Sequence, residues 1–252
     1  SVTSAATVAV ANVNDLPTGT VTIDGLSSGG VLGGQGSSML DGLGGGTATQ
    51  SNVANLPSGS DARTYSAWVN IDPGNPPLTV IGQGSIDPGT FYHRSALVVD
   101  TRTQQVLLDF QVGFVYANTA ALNDNQWHLV TATYDPLAEG LGVSLYVDGV
   151  AQTVHGANGF DKASVATINI NSTATYGYEY GWTNGASDPA TMVQLWKGTI
   201  EDAAIWNTAL TASQVQSLYA NPGVFPQTGL VSTFAASTGH SVSQGQVLTA
   251  SS

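Results

Sequence analysis

From Thr64 onward the chain is a succession of short runs rich in β-branched and aromatic residues: Tyr65 to Ile71, Leu78 to Ile81, Ala96 to Val99 and Gln105 to Phe110. Each run is closed by turn-forming residues, the cadence of a chain built from antiparallel strands. The clearest case is Leu141 to Gln152, where Asp148-Gly149 sets two residues that tolerate positive φ between alternating apolar positions. That pattern predicts a hairpin with a type I′ turn. Only one stretch reads as a helix, near residues 212–219. Thr211 can cap it with Gln214 as the reciprocal partner, Val215, Leu218 and Tyr219 form one apolar face, and Asn221-Pro222-Gly223 stops it. One short helix cannot cover both faces of so many strands, so the strands must bury one another. The expected fold is all-β, an antiparallel β-sandwich.

Upstream, Ala6 to Val13 reads as a weak strand ending at Asn14-Asp15-Leu16-Pro17, and Gly19 to Ile23 as a second strand. The glycine-dense stretch from Gly25 to Gly46 is expected to be loop. No Lys or Arg occurs in the first 14 residues, so the basic region of a signal peptide is missing and the chain reads as a segment of a longer one. No run approaches the roughly 18 apolar residues of a membrane span.

Composition narrows the partners. With 17 acidic against 5 basic side chains and a net charge of −12, the long-range field repels phosphate backbones and anionic headgroups, so nucleic acid and direct membrane insertion are not expected. A cation is the natural partner. Of the acids 14 are Asp and three are Glu (Glu139, Glu179, Glu201), a bias suited to turns and oxygen-rich cation sites, which makes Ca²⁺ the expected cofactor. The absence of cysteine excludes disulfides, thiolate metal sites and cysteine catalysis.

Three segments in fixed order carry a family resemblance. Ser38-Met39-Leu40-Asp41-Gly42 is followed by Tyr65-Ser66-Ala67-Trp68-Val69. Leu122 to Asp135, containing Asn125-Gln126-Trp127-His128, leads into Leu145-Tyr146-Val147-Asp148-Gly149. Lys197-Gly198-Thr199-Ile200-Glu201-Asp202 runs on to Ala209-Leu210 and the helix. Together they resemble the bacterial laminin G-like domains of the concanavalin A-like jelly-roll superfamily. The resemblance implies a jelly-roll sandwich over residues 19–227. A second resemblance flanks it. Val13 to Ile23 and Gln244 to Ala250 look like parts of the cadherin-like or immunoglobulin-like repeats of RTX-type adhesins. This implies that residues 1–18 end a preceding repeat and linker, and that residues 228–252 are a returning strand or the start of the next repeat. The implied setting is an adhesin on the bacterial cell surface, with the domain tethered to neighbouring repeats.

The resemblance also implies calcium ligands. Asp202 matches the family's usual ligand, and Asp41, in the first matching motif, is its expected partner. Glu201 precedes Asp202 on an expected strand, so the two side chains point to opposite faces unless the strand bulges. Asp15 matches an interdomain ligand of cadherin-like repeats. Asp148 reads as a turn former rather than a ligand.

Sugar recognition requires aromatic faces and short polar groups. Tyr176, Tyr178, Tyr180 and Trp182, interleaved with glycines, supply both in what reads as a loop, although period-two aromatics also fit one buried face of a strand. Tyr92 and Arg94, in Phe91-Tyr92-His93-Arg94, form a second aromatic-polar cluster. Trp68, Trp127, Trp196 and Trp206 lie in the family's core motifs and are expected to pack.

An enzyme is not expected. The E-x-D-x-x-E strand of jelly-roll glucanases and the G-x-S-x-G elbow are absent from the sequence. The reading is a non-catalytic, calcium-stabilised, carbohydrate-binding module that mediates attachment or biofilm formation. A structural spacer and a peptide-binding module are the alternatives.

Overall fold

The computed structural model describes residues 20–23, 48–51, 53–73, 78–84, 94–110, 112–165, 174–179 and 198–234. Its first strands in chain order are β1 (Thr20–Ile23), β2 (Ala48–Ser51), β3 (Arg63–Ile71), β4 (Leu78–Gly84), β5 (Arg94–Asp100), β6 (Gln105–Asp109) and β7 (Phe114–Asn118). They are followed by β8 (Trp127–Tyr134), β9 (Val143–Val147), β10 (Val150–Ala151), β11 (His155–Ala157), the short helix α1 (Lys162–Val165) and β12 (Ala174–Glu179). Last come β13 (Gly198–Trp206), the helix α2 (Ala212–Ala220) and β14 (Leu230–Phe234). The strands form an eight-stranded sheet of order β1-β2-β12-β4-β5-β6-β7-β11 and a six-stranded sheet of order β10-β9-β8-β3-β13-β14. Every pairing is antiparallel.

The strand period of two explains the core. On β3, Tyr65, Ala67, Val69 and Ile71 face the eight-stranded sheet, where Ile81, Leu97, Val99, Val106, Leu108 and Val115 meet them in one buried cluster. The expected all-β sandwich is therefore present. One polar network lies inside it, where Tyr65 Oη donates to Gln83 Oε1 and also meets Ser95 Oγ at 3.0 Å. Burial raises the Tyr65 phenol above its ordinary value despite the nearby Arg63 charge, so it stays a neutral donor.

The other residues of β3 point outward, and α2 covers them. Trp68, Leu129, Tyr146, Ala204 and Trp206 pack with Leu210, Val215 and Leu218 in a second buried layer. Tyr219 stacks on Trp68 with ring centroids 5.5 Å apart. Trp206 Nε1 donates to the Pro226 carbonyl at 2.8 Å. The helix forms where the sequence predicts it. Thr211 Oγ1 accepts from Gln214 N, and the Gln214 side chain accepts from Thr211 N, completing a capping box.

Three tryptophans expected in the core lie among the described residues. Trp68 and Trp206 are fully buried and Trp127 partly so, but they fill the layer beneath the helix rather than the space between the sheets. Trp196, Ala6 to Val13, Gly25 to Gly46 and Gln244 to Ala250 lie outside the described residues. Leu230–Phe234, within the segment of undecided affiliation, pairs with β13 as an edge strand of the six-stranded sheet.

Candidate functional site

Asp202 sits in an irregularity of β13. The pairing with β3 shifts register between Glu201 and Ala204, and Asp202 has φ +48°. This β-bulge lifts the opposite-face objection to Glu201 and Asp202. Ile200 and Ala203 both join the inter-sheet core, so the two acidic residues occupy the outward excursion between them. Asp202 is only 7% exposed. A Cβ placed on Gly223 would lie 3.9 Å from Asp202 Oδ2, so the carboxylate faces the turn that follows α2. That turn lies at the negative end of the helix dipole, where a bound cation is favoured. Among the described residues no group of three His, Asp or Glu side chains is arranged to hold a metal. Asp41 and Asp15, the other two expected ligands, lie outside the described residues.

A second polar constellation surrounds His128, a residue of the second family motif that lies near the start of β8. The β9–β10 turn has Asp148 at φ +52° and Gly149 at φ +75°, as the Asp-Gly pair predicts. Gly149 is needed here for space as well, because a Cβ would lie 3.1 Å from Tyr219 Cβ. The turn directs Asp148 back toward β8. Its Oδ1 accepts from Leu129 N at 2.9 Å and its Oδ2 lies 2.9 Å from His128 Nδ1. On the other edge of the ring, Nε2 lies 3.3 Å from Asp124 Oδ1. The His128 pKa is raised, chiefly by the Asp148 hydrogen bond and with help from both carboxylate charges, against partial burial. Asp148 is thus the expected turn former, and in addition the partner of His128.

Arg94 is the only member of the Tyr92/Arg94 cluster among the described residues, and its guanidinium is engaged. Its Nη2 pairs with Asp109 Oδ2 at 2.6 Å, with Asp109 almost wholly buried. The strand registers place both on the outer face of the eight-stranded sheet, together with Ala96, Val98 and Leu107. The loop expected around Tyr176 and Tyr178 is corrected in part. Ala174–Glu179 is a strand, β12, held between β2 and β4, because ladder pairing on both sides overrides the local turn character of its glycine. Tyr176 stands opposite Ile81 and Tyr178 opposite Thr79. Tyr180, Trp182 and Tyr92 lie outside the described residues.

Comparison with known proteins gives one decisive match. A laminin G-like family model, described as the concanavalin A-like lectin/glucanases superfamily, matches residues 43–216. No curated protein matches. Among solved structures, a heptameric SAP-like pentraxin from Limulus polyphemus has 17% identity and a TM-score of 0.46, covering 70% of this chain and 77% of its own. A putative carbohydrate binding protein from Bacteroides ovatus has 17% identity and a TM-score of 0.42, covering 74% of this chain and 48% of its own. The CBM40 of a Ruminococcus gnavus IT-sialidase has 12% identity and a TM-score of 0.48, covering 64% of this chain and 84% of its own. All three scores fall below 0.5, so the family rests on the sequence match.

Proposed function

Because the chain belongs to the concanavalin A-like lectin/glucanases superfamily, in its laminin G-like branch, we propose that it is a non-catalytic carbohydrate-binding module of a bacterial surface adhesin, stiffened by Ca²⁺. The observation that carries this reading is the family match across residues 43–216. The non-catalytic half rests on the lectin character of that family, and three of the described carboxylates already have cationic or imidazole partners. A glycosidase needs two carboxyl groups free to act as acid and as base or nucleophile, whereas Asp109 pairs with Arg94 and both Asp124 and Asp148 are held by His128.

For the metal, Asp202 would supply one carboxylate, and the carbonyl-rich turn after α2 together with Asp41 would complete an oxygen shell. For the glycan, Tyr180 and Trp182, which come after β12 in the sequence, and Tyr92 would offer stacking faces. The jelly roll would occupy residues 19–227 and extend through β14. It would lie between adhesin repeats that include residues 1–18, with Asp15 at the junction. An extracellular setting fits the family; among the described residues no helix is long and apolar enough to cross a membrane.

A spacer reading draws on β12, where Tyr176 occupies a register position opposite the core residue Ile81. Trp182→Ala separates the two readings. The lectin reading expects glycan affinity to fall about tenfold or more, as for an aromatic hot spot, with stability changed by less than about 1 kcal/mol. Strong destabilisation by Trp182→Ala, in a folded protein whose wild type binds no glycan, would favour the spacer.

A further inference from the structure

The His128 ring is bracketed by two acceptors, Asp148 Oδ2 at 2.9 Å from Nδ1 and Asp124 Oδ1 at 3.3 Å from Nε2. A neutral imidazole carries one N–H and one lone pair. In either neutral tautomer one ring nitrogen therefore turns a lone pair on a carboxylate oxygen, and only the imidazolium donates to both. The two carboxylates are not equally anchored. Asp148 is fixed by its turn and by the bond from Leu129 N at 2.9 Å. Asp124 belongs to the loop before β8, is held locally by Gln126 N at 2.9 Å, and is the more exposed of the two, at 43% against 30%.

We propose that His128 is a pH-sensitive latch: the protonated ring ties the loop carrying Asp124 to the Asp148 hairpin, and loss of the ring proton frees that loop while the hairpin stays in place. The charges acting on the ring are those two carboxylates. From α2, Tyr219 faces Asp148, and burial and that charge keep its phenol neutral. From β3, the register partner of His128 is Val69, which does not titrate. The two carboxylates hold the ring proton above the ordinary imidazole range. The latch is then complete below about pH 6.5, the unfolded value, and opens as pH rises through the higher folded value.

NMR on the intact chain tests this directly, following the His128 ring nitrogens and the exchange of backbone amides with pH. Both ring nitrogens should carry protons at pH values where free histidine has lost one. Protection of the Gln126 amide should fall through the His128 midpoint, by about tenfold for each unit that Asp124 itself adds to that midpoint, the amount Asp124→Asn removes. The Leu129 amide, bonded to Asp148, should keep its protection. Asp124→Asn, a change at an exposed side chain, should lower the His128 midpoint and abolish the step at Gln126. A His128 midpoint at or below that of free histidine would overturn the latch. So would Gln126 exchange that follows only the intrinsic base-catalysed rate in both proteins.

Discussion

At the scale of single residues, Asp148 shows how much a local signal can conceal. Its role in the turn is legible from Asp148-Gly149 alone, because φ > 0 at two adjacent residues is a local demand. Its bonds to Leu129 N and His128 depend on the register of β9 against β8, which residues 135–142 set and no residue pattern displays. Asp148→Ala is expected to cost about 2–4 kcal/mol, since it removes a charged acceptor and leaves the Leu129 amide without a partner. Asp148→Asn should cost roughly half as much, because Asn tolerates the left-handed region and its carbonyl can still accept. Urea denaturation at pH 6 measures both, and equal losses would show that the turn alone matters. The same pairing sets a pH dependence. The His128 pKa is raised in the fold, so its contribution is full below about pH 6.5 and is lost as pH rises through the folded value. The stability difference between the wild type and His128→Gln should shrink along that limb, and a difference that grows with pH would reverse the sign of the account.

At the scale of elements, α2 is legible in full because the capping box, the apolar face and the Asn221-Pro222-Gly223 stop are all written locally. Thr211→Ala should cost about 1 kcal/mol, the usual value of an N-cap, as read from the denaturation midpoint. The surface the helix covers is not legible. Trp68 and Trp206 read as core, yet whether they face the opposing sheet or the helix depends on strand parity, and parity on β13 is reset by the bulge at Asp202. Trp206→Ala should cost about 3–5 kcal/mol and loosen α2 with it; circular dichroism and denaturation would show a smaller loss if the layer beneath the helix were soft. β12 is the opposite case. Its alternation of tyrosine with glycine resembles a loop by residue type, and only its two neighbours in the sheet make it a strand.

At the scale of the molecule, the all-β sandwich is legible from strand cadence and the scarcity of helix, and the family match over residues 43–216 agrees with it. The strand order is not, because the sheets are assembled from pairings distant in sequence, such as β2 with β12 and β3 with β13. A net charge of −12 makes cation uptake the natural way to relieve self-repulsion. If Ca²⁺ binds the folded state alone at Asp202, a concentration of 100 times Kd should add about 2.7 kcal/mol. Chelation should lower the melting temperature and Asp202→Asn should abolish the response; identical melting with and without chelator would remove the metal from the account. The central claim, that this jelly roll is a glycan-binding module, is tested most directly by a glycan-array screen of the folded protein in millimolar calcium, repeated with chelator. The account predicts reproducible, calcium-dependent binding to a defined sugar class, and a blank array from a folded, calcium-loaded protein would contradict it.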